Sequence, residues 1–378
     1  MLSSSDLEIV ILALNVLLRP SQQYSSQQPV SHLSISTTRL QSLAKRWPHL
    51  REHGIGLLEL ASDQNGDLDG VPLDAREVNF TFYNTITSPT ADKKPENVDT
   101  VTVPRNATVS GPTLSSDSIQ IRLDEHTITS QPVMNVLQDT IQAYSVPDSE
   151  CFELLCRIRA AASLASGKKA DRENLLVIRL LAIAIYGHTH SESQAMSALF
   201  LYEPDLIAHI AELLQSDKGV PIPVQTAAIS ALDALARYKS KIQEVLTAVN
   251  AGVNHGILLA LVRTMVVKVA DLDSQLPHSF IEALLSFITY LASHASGGNM
   301  VVSAGLIPLL VQIVENKNSN RLPVISKTMQ LLDNVIYSFS NAFSLFCASR
   351  GVEILVERIE VGLGFTYIWN FSNWTIIA

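Results

Sequence analysis

The run Asp63-Gln64-Asn65-Gly66-Asp67-Leu68-Asp69-Gly70 comes nearest to metal chemistry. A calcium loop needs oxygen ligands at alternate positions, Gly at the sixth and a bidentate Glu at the twelfth. Counted from Asn65, residues Asp67, Asp69 and Gly70 fall correctly, but the twelfth position is Arg76, a cation where the last ligand belongs. Counted from Asp63, the sixth position is Leu68, so the run reads as a solvated acidic turn. His188-Thr189-His190 with Glu192 offers imidazole and carboxylate groups without an evident third ligand. It follows a helix ending near Gly187 and reads as a polar inter-helix turn. Gly167-Lys168-Lys169 is similar to the end of a phosphate loop, but residue 162 is Ala and no Ser or Thr follows the Lys. A helix-to-helix turn is expected there. No G-x-S-x-G, H-E-x-x-H or G-x-G-x-x-G occurs, and nothing groups Ser, His and Asp. The sequence therefore assigns no catalytic, cofactor-binding or metal residues, and no cofactor. Cys151, Cys156 and Cys347 make neither a disulfide framework nor a zinc set, and are read as buried free thiols.

The elements that would carry these residues are mostly helices. Ser5 and Asp6 can cap a first helix over the apolar run from Leu7, with Pro20 as its stop. This helix is apolar nearly all round, which predicts burial between neighbours. A Ser/Gln-rich linker covers Ser21 to about Ser36, and a second helix Thr38 to Trp47. From Ser62 to Ser130 helical periodicity vanishes. Val78–Tyr83 and Ser118–Leu123 alternate and are rich in β-branched or aromatic residues, which predicts an antiparallel pair. Val101-Thr102-Val103 is a candidate third strand, and about Asn84–Asp117 is read as a flexible connection.

From Gln131 to Glu360 helix follows helix. Four segments share a Gly or Pro-Asp lead and a nine-residue apolar helix: Leu206–Leu214, Ile257–Met265, Leu306–Val314 and Val352–Glu360. Their starts lie 51, 49 and 46 residues apart, near the armadillo and HEAT period of about 40–47. A helix pair that cannot hide its apolar face alone stacks on the next. Leu306, Leu309, Leu310 and Ile313 mark one such face, expected against the Phe280–Leu291 helix. Asn254-His255-Gly256 and Ser296-Gly297-Gly298 read as turns, with His255 a possible cap and a left-handed Gly closing a helix. The fold class is thus mostly α, an armadillo/HEAT-like α-solenoid with a small β-hairpin insertion. Its parts are residues 1–61 (N-terminal helices), 62–130 (β-containing insertion), 131–360 (solenoid) and 361–378 (tail).

Charge narrows the partners. The formal net charge is -9, with no long Lys/Arg run, which disfavours nucleic acid. Arg179, Arg263 and Lys268 interrupt the internal apolar runs, and Asp6 and Glu8 the first, so neither membrane span nor signal peptide is expected. The sequons at Asn79, Asn106, Asn370 and Asn373 then carry no meaning. Val361–Ala378 has no charge and two tryptophans, but Asn370, Ser372 and Asn373 argue against a membrane tail. It departs abruptly from the rest and is read as a gene-model artefact. The expected location is the cytoplasm, the nucleus or both.

Four stretches carry a family resemblance: the first helix, Leu7–Leu18; Val78–Tyr83; Val253-Asn254-His255-Gly256 through Arg263; and His278–Ser293 with Gly297-Gly298 and Val302–Gly305. On these the chain resembles the N-terminal armadillo-like region of the giant HECT-type E3 ubiquitin ligases found from fungi to animals. The match covers most of residues 1–360 and is weakest over 62–130. The resemblance implies a helical array that gathers protein substrates or binds other domains of the parent ligase. Ubiquitin transfer would use a catalytic Cys in a HECT domain far toward the C-terminus, and none of this chain's three cysteines lies in one. A free-standing armadillo-like adaptor unrelated to ubiquitin is the alternative.

Overall fold

The computed structural model describes residues 1–4, 6–24, 37–44, 77–83, 118–165, 168–190, 194–271 and 276–360, and over these it is mostly helical. Among them no single helix is long and apolar enough to cross a membrane. The acidic run 63–70, the candidate strand 101–103, the connection 84–117 and the tail 361–378 lie outside the described residues.

Helix α1 (Leu7–Tyr24) starts where Asp6 Oδ1 accepts the Glu8 N–H at 2.9 Å, an N-terminal cap. Pro20 does not end it. The proline removes only the bond to the carbonyl of Val16, a residue 65% exposed, so water can take that group. Burial all round is also corrected: Val10, Leu14 and Leu18 are inside, while Ile9, Leu12 and Val16 face outward. Helix α2 (Thr37–Ala44) follows, and both helices pack on a long helix introduced below.

Strands β1 (Glu77–Tyr83) and β2 (Ser118–Asp124) pair antiparallel, with Phe80 opposite Ile121. They do not form a self-contained β insertion. β2 runs straight into α3 (Glu125–Ser130), followed by α4 (Val133–Tyr144) and α5 (Cys151–Ala165). Ile121 of β2 is fully buried with Ile128, Leu137, Leu154 and Ile158 of those helices. The strand thus belongs to a small second core, which Phe152 joins to the main one.

Helix α6 (Lys169–His190) runs past the expected stop at Gly187. A Cβ on Gly187 would lie 2.9 Å from Ala234 Cβ, so the glycine admits a neighbouring helix rather than ending its own. Beyond α6 the unit is a triplet of helices, not the pair expected. The first triplet is α7 (Gln194–Tyr202), α8 (Leu206–Glu212) and α9 (Ile222–Ala236); the second is α10 (Ile242–Ala248), α11 (Ile257–Ala270) and α12 (His278–Ala292). The third is α13 (Ala295–Ser303), α14 (Leu306–Glu315) and α15 (Leu322–Ser338), followed by α16 (Ala342–Ala348) and α17 (residues 351–360). Pro221 and Pro277 stand at the N-caps of α9 and α12, and Pro323 in the first turn of α15, where no helical N–H is lost. Gly297 and Gly298, read as a turn, are buried inside α13; a left-handed glycine stands instead at Gly305 (φ 102°), which opens α14.

The long third helices stack in order, α6 on α9, α9 on α12 and α12 on α15. Helices α1 and α2 cover α6 from the other side. The middle helices follow suit, α11 against α14. Leu306, Leu310 and Ile313 of α14 are buried as expected and Leu309 is half-buried; the helix packs chiefly on α11, α15 and α16 rather than on α12. Side-chain hydrogen bonds tie each layer to the next: Gln243 to Ser296, Asn316 to the Val269 carbonyl, Lys327 to Glu282 and Arg358 to the Val314 carbonyl. They span 44 to 53 residues, one repeat each.

Candidate protein-binding groove

The third helices of the stack leave a groove between them. Helix α12 turns Glu282, Ser286, Thr289, Tyr290 and Ser293 to one side, residues three and four apart and therefore on one face. Across from them α15 presents Lys327, Gln330 and Asn334, and Arg237, just past α9, closes one end. The groove encloses 420 Å³ above a floor of Leu285 and Leu331.

Arg237 is fixed from two directions. Its Nη2 donates to Asp233 Oδ1 and Oδ2 at 3.2 and 3.3 Å, and its guanidinium lies 4.4 Å from the Tyr290 ring centre. Ser286 Oγ donates to Asp233 Oδ2 at 3.2 Å, and the Tyr290 hydroxyl to the Ala236 carbonyl at 3.4 Å. Asp233 is 1% exposed; burial raises its pKa, and the charge and hydrogen bonds of Arg237 and Ser286 oppose the rise. Burial likewise raises the Tyr290 phenol. At the far end Glu282 accepts from Lys327 Nζ at 2.6 Å, with His278 Nδ1 at 3.5 Å from the carboxylate. The Lys327 hydrogen bond leads in holding its pKa below the usual carboxylate range. Between these anchored ends, Gln330 and Asn334 make no side-chain hydrogen bond among the described residues. Each amide thus offers donors and an acceptor to a ligand.

Among the described residues, those singled out from sequence do not converge on one site. His188 and His190 belong to one helix but part company: His188 is 4% exposed in the core, and the half-buried His190 stacks on Tyr186 at 4.6 Å. Burial and then the Arg237 charge push the His188 imidazole down to about 3, so it is neutral, and neither ring nitrogen has a partner. Glu192 and Gly167 lie outside the described residues, while Lys169 opens α6. His255 caps nothing; Gly256 holds the N-cap of α11, where a Cβ would meet the Asn250 carbonyl oxygen at 2.2 Å. The reading of three buried thiols is corrected as well. Cys156 is buried and pushed up to about 12 by desolvation, Cys151 is half-buried and raised by the same cause, and Cys347 is exposed. Sequence reasoning missed the Asp233–Arg237–Tyr290 cluster. Its one local signal was Asp233, the single charged residue of the helix Ile222–Ala236.

Comparison with known proteins adds ancestry to this geometry. Residues 1–267 match the family described as Domain of Unknown Function (DUF908), and residues 326–364 that described as Domain of Unknown Function (DUF913). The chain is 25% identical over 366 residues to the E3 ubiquitin-protein ligase UPL1 of Arabidopsis thaliana, covering 97% of this chain and 9% of that protein. It is 24% identical over 367 residues to the E3 ubiquitin-protein ligase HUWE1 of Mus musculus, covering 95% and 8%. The E3 ubiquitin-protein ligase TOM1 of Saccharomyces cerevisiae is 22% identical over 217 residues, covering 57% and 7%. The chain therefore spans less than a tenth of the length of these relatives.

Proposed function

Because the chain belongs to the DUF908 family, in the N-terminal region of the giant HECT-type E3 ubiquitin ligases, we propose that it is a non-catalytic, armadillo-like scaffold. It holds protein substrates, or other parts of the parent ligase, while ubiquitin is transferred elsewhere. The observation carrying this reading is the groove between α12 and α15, bounded by the fixed Arg237 and the Lys327–Glu282 pair, with Gln330 and Asn334 unpaired between them. Amide side chains spaced along a groove suit an extended polypeptide, whose backbone repeats donor and acceptor. The three-helix period and the nearest-neighbour stacking support the armadillo-like description. The same reading puts the protein in the cytoplasm or nucleus, where its thiols stay reduced.

A photo-reactive amino acid at position 334 tests this in the full-length ligase. It should crosslink to substrate polypeptide, and Asn334→Ala with Gln330→Ala should lower substrate conjugation while ubiquitin loading of the HECT cysteine is unchanged. Conjugation untouched by the double variant would remove the groove from the mechanism.

A further inference from the structure

None of the polar groups that α12 turns toward the groove has a proton to offer. Ser286 Oγ donates to Asp233 Oδ2 at 3.2 Å, and Thr289 Oγ1 to the Leu285 carbonyl at 2.7 Å. Ser293 Oγ donates to the Tyr290 carbonyl at 2.6 Å, and the Tyr290 hydroxyl to the Ala236 carbonyl at 3.4 Å. A hydroxyl has one proton and two lone pairs, so each can still act only as an acceptor. Glu282 is a carboxylate with room for more donors than Lys327 and the neighbouring His278 supply. These five residues follow one another three or four positions apart, in steps of about 4.5–6 Å along the helix. The α15 wall adds the amide oxygens of Gln330 and Asn334. The two cations at the ends of the groove are already matched, Arg237 by Asp233 and Lys327 by Glu282.

A wall of acceptors repels a carboxylate or a phosphate and suits a group made of donors alone. A guanidinium is such a group, with five N–H donors in one plane and no acceptor. The chain seats one of its own a layer earlier. Arg237 lies between α9 and α12, with Nη2 on both oxygens of Asp233 and its plane 4.4 Å from the Tyr290 ring centre. Between α12 and α15 only the Lys327–Glu282 hydrogen bond crosses among the described residues, at one end. We propose that the open remainder of this groove is a seat for an arginine side chain of the bound polypeptide. Leu285 and Leu331 lie under its methylenes, while its fork meets the Glu282 carboxylate, the α12 hydroxyl oxygens and the amide oxygens across from them. The formal net charge of -9 favours the approach of a cation. Lysine fits less well, because its three donors radiate from one atom and do not reach both walls. This rests on the polypeptide-groove reading above and names the residue that the groove selects.

The probes are fluorescein-labelled Gly/Ser peptides with one central residue, either arginine, citrulline, lysine or glutamate, titrated with the 378-residue chain. Citrulline keeps the shape of arginine but replaces one NH2 group by a carbonyl oxygen. Fluorescence anisotropy should show the arginine peptide binding about tenfold or more tightly than the citrulline peptide, because a charged donor is lost and an acceptor faces acceptors. The lysine peptide should bind more weakly than the arginine peptide, and the glutamate peptide should not saturate. Thr289→Val and Glu282→Gln, each with an unchanged circular dichroism spectrum, should both weaken the arginine peptide. Equal affinity for arginine and lysine would overturn the proposal, since overall charge would then account for binding. So would equal affinity for arginine and citrulline, or an arginine preference that both variants leave intact. No binding of the arginine peptide also overturns the seat; substrate that still crosslinks at position 334 of the full-length ligase would then leave the polypeptide groove standing. Loss of both results removes the groove reading as well.

Discussion

Gly297→Ala tests, by the sign of its effect, whether Gly297 is packed inside α13 or stands on an exposed helical face. On an exposed helical face the added methyl should help, because Ala is favoured over Gly by about 0.5–1 kcal/mol in helical backbone. Inside α13 it should harm. The new Cβ would stand 2.4 Å from the Leu291 carbonyl oxygen, 3.2 Å from its carbon and 3.3 Å from Leu246 Cδ2. Carbon–oxygen contacts settle near ~3.3 Å, so the overlap is about 0.9 Å. It falls on backbone, which no rotamer change relieves. Overpacking of this kind costs about 1–3 kcal/mol. Subtracting the propensity gain leaves a net loss of up to about 2.5 kcal/mol, a fall of up to roughly 5 °C in the melting temperature. Chemical denaturation and calorimetry of the two proteins would measure it. Adding Leu246→Ala should give no rescue, because that side chain is the lesser contact. A melting temperature equal to or above that of the parent would refute the close approach of α13 to the end of α12.

Leu310→Ala should cost about 2–5 kcal/mol, since the residue is fully buried, and should broaden the unfolding transition because one weakened junction releases its neighbours first; an unchanged melting profile would count against the packing of α14. His188→Leu should leave stability unchanged or raise it by about 1 kcal/mol, because neither ring nitrogen is bonded in the core; a clear loss in urea denaturation would reveal a partner. Glu282 has a depressed pKa, so the stability it contributes is present above its ordinary value of 4.5 and is lost as pH falls through the folded value. Glu282→Gln should therefore flatten part of the acid limb of a stability–pH curve, by well under 1 kcal/mol because the pair is largely exposed; an identical acid limb would mean the pair contributes nothing. Incubated with ubiquitin-charged E2, the purified chain should form no reducible ubiquitin adduct, and an adduct lost in Cys347→Ala would contradict the non-catalytic reading.

What the sequence disclosed follows from the range of the interactions. The burial of Leu306, Leu310 and Ile313 is legible because helical periodicity is local, and so are the helix starts at Pro221 and Pro277. The triplet was hidden because α10, α13 and α16 are short: α10 and α16 have seven residues each, and α13 holds two glycines that pass for a turn. Pro20 and the His188–His190 run misled for the same reason. Local propensity said stop, while packing on neighbouring helices carried α1 and α6 further. The groove was out of reach. Asp233 and Arg237 look like an ordinary i, i+4 pair until Ser286 and Tyr290 arrive from one layer later, and only the fold brings them together.

The layer-to-layer hydrogen bonds have a consequence for how such a chain is made. Each spans about one repeat and none of them reaches further, so a layer can complete its polar ties as soon as the following one has emerged. A ribosome adds roughly 5–20 residues each second, which delivers a new layer of this array in about 3–10 s. Folding within a layer closes loops of modest length and is far faster than that. Synthesis, not chain length, then sets the pace. Over residues 194–360 the growing polypeptide then exposes one unsatisfied apolar edge at a time, whereas Val10, Leu14 and Leu18 of α1 stay uncovered until α6 has emerged.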